Sequence, residues 1–297
     1  MVFQLVITNF RIWNSLQTVC KQWYSVLQKY KKHIFAPLTL DFFPHGIKEK
    51  DLVLVRSMVI QAYIGKEYEW LPIIKRMNTS LLKLKISGFS VLLTSMKVPL
   101  SLQYLNLSRA YFPNVENHPN LTSIEVSDVF TISLEKYLNV PELTMFTFRN
   151  IGSGKIERVS DWKRWPKLKK VSIFDSPDFI TQALDMFQHI DNLELSLMSL
   201  GSTFVFGSDI SLPGLAKLTL QFGCSDFYYH TLAPEFLTQH PKLCEIKIYT
   251  RDCVENHLMR WIPILNDSGF ETHYSNDNVG LEELFAQKIK PNKRQKT

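Results

Sequence analysis

Three groups of side chains in this sequence invite a chemical reading. The stretch V-C-K-Q-W-Y-S-V-L, Val19–Leu27, sets Cys20 beside Lys21 and close to Trp23 and Tyr24, in a region without any acidic residue. A thiol next to a cation is the setting that lowers a cysteine's pKa and makes it nucleophilic. His118, His240 and, one position off the same spacing, His189 each stand shortly before an apolar run. Imidazoles gathered in one place hold metals or move protons. Glu282 with Glu283, and Asp175 with Asp178, are the carboxylate pairs that general acid–base chemistry would use.

None of these groups has the spacing of a catalytic site. Adjacent glutamates fall on different faces of a helix, so Glu282 and Glu283 read as a solvated surface. Asp175 and Asp178 flank Pro177 at a helix start, where a carboxylate meets the positive end of the dipole. No Ser-His-Asp, H-E-x-x-H or Cys-His signature occurs at a recognisable spacing. Gly-rich phosphate loops are absent from a chain with only 11 glycines. Cys20, Cys224, Cys244 and Cys253 form no C-x-x-C, which points away from zinc or a disulfide framework and towards a reducing compartment. The expectation is a non-enzyme with no cofactor and no metal.

The 297 residues are 45% hydrophobic and 21% charged, an ordinary globular balance. No stretch reaches the roughly 20 apolar residues of a membrane helix. The N-terminal M-V-F-Q-L-V-I-T-N-F lacks the basic flank and cleavage site of a signal peptide, so the expected location is cytoplasmic, nuclear or both. The net charge of +6 is concentrated at the ends. Arg11, Lys21, Lys29, Lys31 and Lys32 lie in the first 33 residues; Lys288, Lys290, Lys293, Arg294 and Lys296 lie in the last ten. Removing those ten from the 34 basic residues leaves 24 against 28 acidic ones, a net of −4 for the body. That balance disfavours a nucleic-acid partner. The tail K-I-K-P-N-K-R-Q-K-T reads as a disordered basic segment, with Lys293, Arg294 and Lys296 as nuclear-import candidates.

What would position any of these residues is a repeat. The pattern L-x-x-[hydrophobic]-x-[hydrophobic], often with a proline two residues ahead, recurs through the chain. Its copies are Leu81/Leu84/Ile86, Leu102/Leu105/Leu107, Leu121/Ile124/Val126, Leu143/Phe146/Phe148 and Leu168/Val171/Ile173. Leu215/Leu218/Leu220 and Leu243/Ile246/Ile248 follow, and a weaker copy at Ile190/Leu193/Leu195 has a register open to a one-residue slip. The opening positions are 21, 19, 22, 25, 22, 25 and 28 residues apart, within the leucine-rich-repeat range of about 20–29. In a strand, alternate side chains share a face, so the last two apolar positions of each copy point inward together. One repeat buries too little surface alone; stacking makes the core continuous.

The expected fold class is therefore α/β: a horseshoe solenoid of about eight or nine irregular leucine-rich repeats, behind a short all-α N-terminal segment. F-A-P-L-T-L supplies a first strand at Phe35, Leu38 and Leu40, and Leu52 to Met77 reads as a helical insertion. S-P-D-F-I-T-Q-A-L-D-M-F reads as an outer helix with Phe179, Ala183 and Phe187 on one face. E-N-H-L-M-R-W-I-P-I-L-N reads as the last outer helix, shortened or kinked at Pro263, and F-E-T-H-Y as a closing strand. The asparagine usual in the turn of short repeats is replaced by Ala110 and Val129 after two strands. Boundaries follow at 1–34 for the helical segment, 35–275 for the solenoid and 276–297 for a helix remnant and basic tail. The histidines then fall at helix-to-strand corners of nonadjacent repeats, a structural place.

The solvent-facing positions of the strands form the expected binding face. They are Lys83 and Lys85, Tyr104 and Asn106, Ser123 and Glu125, Met145 and Thr147, Lys170 and Ser172, Lys217 and Thr219, and Glu245 and Lys247. The mixed charge suits a protein partner better than a phosphate backbone, with Tyr104 and Met145 as anchors. The candidates for substrate contact are Lys85, Tyr104, Asn106, Glu125, Met145, Lys170, Lys217 and Lys247.

Leu16, Val19, Cys20, Trp23 and Leu27 follow the i, i+3, i+4, i+7 rhythm of a helix buried on one side, which puts Cys20 in the apolar stripe as a small hydrophobe. S-L-Q-T-V-C-K-Q-W-Y-S-V-L resembles the second half of an F-box, whose core reads hydrophobic-x-x-V-C-[KR]-x-W-x-x-hydrophobic, and L-V-I-T-N-F-R-I-W-N-S-L is similar to the part before it. Joined to the repeats, the chain resembles the F-box/leucine-rich-repeat substrate receptors of SCF-type ubiquitin ligases. The resemblance implies a non-catalytic subunit that docks onto the SCF adaptor, and through it onto a cullin and a RING protein, while the repeats hold a protein substrate. It assigns Leu5, Phe10, Leu16, Val19, Cys20, Trp23 and Leu27 to adaptor contact or F-box packing. The L-P-x-E opening of the family is missing from this chain. A shortened gene model, a weakened docking surface and a degenerate F-box all fit that departure. The alternative from the residues alone is an adaptor-independent repeat scaffold whose N-terminal segment caps the solenoid.

Overall fold

The computed structural model describes residues 38–40, 55–61, 72, 74–88, 97–109, 115, 117–128, 140–149, 165–174, 180, 184, 187–200, 210–222, 233–251, 257–276 and 281–289. The F-box-like positions Leu5 to Leu27 and the tail residues Lys293, Arg294 and Lys296 lie outside these residues. The chain divides into two compact units, Met1–Leu143 and Thr144–Thr297.

In the first unit, β1 (Leu38–Leu40), β2 (Val55–Gln61), β3 (Lys83–Ser87), β4 (Tyr104–Ser108) and β5 (Ser123–Ser127) pair in sequence order, all parallel. The register keeps equivalent repeat positions side by side: Leu84, Leu105 and Ile124 form one column, and Ile86, Leu107 and Val126 the next. All six are essentially sealed from solvent. Burying a side chain of this size stabilises by about 1.5–3 kcal/mol, and each strand presents two, with the opening leucine behind them.

The second unit repeats the scheme in β6 (Met145–Arg149), β7 (Lys170–Phe174), β8 (Leu193–Leu200), β9 (Leu215–Phe222) and β10 (Glu245–Arg251). Its buried columns run Phe146, Val171, Leu195, Leu218, Ile246 and Phe148, Ile173, Leu197, Leu220, Ile248. Both units are stretches of a parallel-sheet repeat solenoid. Among the described residues strands dominate; the helices are short, α1 at Pro234–Gln239 and α2 at Trp261–Asp267.

The recurring proline has a direct role. Val140-Pro141-Glu142-Leu143, Trp165-Pro166-Lys167-Leu168, Leu212-Pro213-Gly214-Leu215 and His240-Pro241-Lys242-Leu243 each close a turn, the leucine N–H donating to the carbonyl three residues back at 2.8–3.2 Å. Proline's fixed φ suits the second position of such a turn. The turn swings the chain from the outer side into the strand and delivers the opening leucine to the core.

Four expectations change. Leu52–Met77 holds not only helix: V-R-S-M-V-I-Q is β2, whose Met58 and Ile60 alternate inward beside Leu84 and Ile86. Its period of two was masked by the lack of the leucine–proline opening. The weak copy is read inward at Leu193, Leu195 and Leu197, not Ile190, Leu193 and Leu195, because a register shift between Leu193 and Glu194 removes one residue from the motif. The helix remnant after residue 275 is instead strand β12 (Leu281–Lys288), so Glu282 and Glu283 occupy opposite sides of a sheet. L-E-E-L-F-A-Q-K fits both periods; β12 lies antiparallel between β10 and the closing strand β11 (Phe270–Asn276), which satisfies its main chain on both edges. The fourth change is Glu282, which is buried rather than part of a solvated surface. Of the outer helix, Ile180, Leu184 and Phe187 are buried, while Phe179 and Ala183 lie outside the described residues.

Pro263 sits in the first turn of α2, preceded by a 3₁₀ turn at His257–Arg260, so the segment expected as one helix has two parts. The left-handed residues that end successive strands are Gly88, Arg109 and Asp128, with φ of 112°, 51° and 51°. These take up the turn that an asparagine serves in more regular repeats.

Candidate functional site

The columns expected to face solvent follow from the same registers, but Asn106, Ser123 and Thr147 within them are buried. In the first unit Lys83, Tyr104 and Ser123 stand side by side, as do Lys85, Asn106 and Glu125. Tyr104 donates its hydroxyl proton to Glu125 Oε2 at 2.6 Å, and Asn106 Nδ2 donates to the Tyr104 oxygen at 3.2 Å. Asn106 is 7% exposed and Ser123 9%, yet Asn106 Oδ1 and Ser123 Oγ have no hydrogen-bond partner among the described residues. Lys83 and Lys85 are exposed, and no carboxylate among the described residues pairs with them.

The second unit's face is arranged otherwise. Met145, Lys170, Glu194, Lys217 and Glu245 form one column, and Thr147, Ser172, Ser196, Thr219 and Lys247 the next. Glu194 lies 3.0 Å from Lys170 and 3.7 Å from Lys217; Glu245 lies 3.7 Å from Lys217 and 3.6 Å from Lys247. Charges alternate along the column and cancel. Each exposed pair is worth only about 0.2–1 kcal/mol, so the ladder sets the sign of the surface more than its stability. Beside it Arg149 stacks over Phe174 at 3.9 Å, and Lys247 and His273 flank the Phe285 ring.

Among the expected contact residues, Lys85, Tyr104, Asn106 and Glu125 thus come together on one face of the first unit. Met145, Lys170, Lys217 and Lys247 come together on one face of the second. Glu194 faces outward in either register of the weak repeat, which the expected face leaves out; the true register sets it in the column of Lys170 and Lys217. The pairing L-E-L-S-L with V-S-I, aligned on alternate apolar residues, was the signal available.

The corner histidines are structural. His118 Nε2–H donates to the Pro99 carbonyl at 2.8 Å, and its Nδ1 faces the Asn120 N–H at 3.4 Å. His240 Nδ1–H donates to the Phe236 carbonyl at 2.6 Å, and Nε2 accepts the Leu212 N–H at 3.0 Å. Both tie their own corner to the residue three before the opening leucine of the preceding repeat. The Pro99 carbonyl oxygen can only accept, so His118 donates there; the Leu212 N–H can only donate, so His240 accepts it. Burial, the largest influence, holds both imidazoles below their ordinary pKa. His189 is exposed and joins neither. No group of three or more metal-ligating side chains occurs among the described residues. No helix among them is long and apolar enough to cross a membrane.

The arrangement defines a class: stacked parallel strands that display ordered columns of side chains, the architecture of a repeat solenoid. No family model matches the chain, and no curated protein matches it.

Proposed function

We propose that the chain is a non-catalytic substrate-recognition subunit of an SCF-type ubiquitin ligase, built on leucine-rich repeats. The observation that carries the receptor half is the in-register columns of polar and charged side chains over parallel strands, a surface suited to an extended protein contact. The ligase half rests on the resemblance of V-C-K-Q-W-Y-S-V-L to an F-box. An adaptor bound there links the repeats to cullin and RING subunits, which raises the effective concentration of substrate lysines near the charged conjugating enzyme. The chemistry belongs to the partners, and this chain supplies position.

Co-purification of the full chain with the adaptor and cullin tests the reading. The wild type is expected to retain the adaptor, and Trp23→Ala to lose about tenfold or more of it, as an anchor residue should. No adaptor on the wild-type chain, combined with a sharp fall in melting temperature for Trp23→Ala, overturns the ligase half. That outcome supports the second reading, an adaptor-independent scaffold that Lys293, Arg294 and Lys296 would direct to the nucleus.

A further inference from the structure

We infer that the face of β3–β5 binds an extended acidic segment of a protein partner, with Lys83 and Lys85 taking two carboxylates at alternate positions. The inference deepens the receptor half of the proposed function and rests on it.

The contrast between the two faces carries the argument. On β7–β10 every lysine of the central column has a glutamate within 4.0 Å, so a negative ligand there would have to displace an internal partner. On β3, Lys83 and Lys85 present two ammonium groups on the same side of the strand with no such partner among the described residues. Among the described residues of this face the carboxylate is Glu125, which stands two strands from Lys85 and accepts the Tyr104 hydroxyl.

The spacing selects the form of the ligand. Residues two apart on a strand are about 6.6 Å apart, and the same interval separates alternate side chains of an extended peptide. An acidic residue, any residue and a second acidic residue, laid along β3, bring one carboxylate to each lysine. Next to them the short Asn106 and Ser123 form a floor between the longer Lys85, Tyr104 and Glu125. Both are buried, so the floor is closed and the charged ends of the flanking side chains are what a ligand meets. A phosphodiester strand carries a charge at every residue, so the body's acidic balance opposes it more than a peptide charged at two positions.

The test is an array of ten-residue Gly/Ser peptides carrying two glutamates separated by one, two, three or four positions, with glutamine counterparts, probed by the labelled full chain. The wild type should prefer separation by two, about tenfold over the glutamine counterpart, and the preference should fade with added salt. Lys83→Ala with Lys85→Ala should abolish it; these side chains are exposed, and an unchanged melting temperature confirms a folded variant. Retention indifferent to glutamate, indifferent to its spacing, or unchanged in the double-lysine variant overturns the inference. So does equal, lysine-dependent retention of a single-stranded RNA oligonucleotide. Adaptor capture is read separately: a chain that holds acidic peptides without the adaptor loses only the ligase half of the proposed function. One that holds the adaptor without them loses only this inference.

Discussion

The Leu212 N–H donates to Nε2 of His240 at 3.0 Å, and the opposite ring nitrogen donates to the Phe236 carbonyl. This one imidazole joins α1 to the turn that opens β9, and it can do so only while neutral, because protonation would place a hydrogen where Leu212 already donates.

A pH dependence follows. The folded-state pKa of His240 lies below its ordinary value of 6.5, chiefly through burial, and that of His118 is lowered in the same way. The unfolded chain therefore takes up protons first as pH falls. The stabilisation from both neutral rings is fully present above about pH 6.5 and is lost as pH drops from there through the lower folded pKa values. Urea unfolding of the wild type between pH 7.5 and 5 should show that decline, and His240→Phe should flatten part of it. At pH 7.5, His240→Ala should cost about 2–4 kcal/mol, from the stranded Leu212 N–H and the cavity.

Gly214 admits no side chain. A Cβ there would meet the carbonyl oxygen of Ile190 at 1.8 Å, and the Gly214 carbonyl accepts the Leu193 N–H at 2.7 Å. Either β8 or the turn before β9 must move to admit a methyl group. Gly214→Ala should lower stability by about 1–3 kcal/mol, measured as a shift in urea midpoint at constant slope.

Arg109 ends β4 in the left-handed region at φ 51°, its guanidinium 3.9 Å from Asp128 on the exposed surface. The backbone cost of that conformation, about 1 kcal/mol, exceeds what so exposed a pair returns. Arg109→Gly should leave the melting temperature unchanged or raise it slightly, whereas Arg109→Val should lower it, since a β-branched residue is disfavoured there.

Glu194 holds Lys170 and Lys217. Glu194→Gln should change stability by less than about 1 kcal/mol, yet leave Lys170 without its counter-charge and Lys217 with Glu245 alone. The same peptide array should then register a new, salt-sensitive affinity for glutamate-containing peptides that survives Lys83→Ala with Lys85→Ala. Unchanged retention would show that the ladder does not govern ligand sign on that face.

What the sequence by itself determined is local. Alternation such as Leu84–Ile86 or Val171–Ile173, with a proline turn ahead of it, marks a strand whatever lies beside it, because side-chain period and turn geometry belong to a few consecutive residues. The corner placement of His118 and His240 was legible for the same reason. Only the tertiary structure decided what pairs with what. Met58–Ile60 became a strand by lying against β3, L-E-E-L-F-A-Q-K became one by filling the space between β10 and β11, and a register shift in β8 placed Glu194 between two lysines. Neighbours across a sheet are set by the lengths of the connections and by pairing along both edges, which no short window of sequence contains. The acidic-peptide face and the self-neutralised face use similar strands; their difference lies in which carboxylate the register delivers to each lysine.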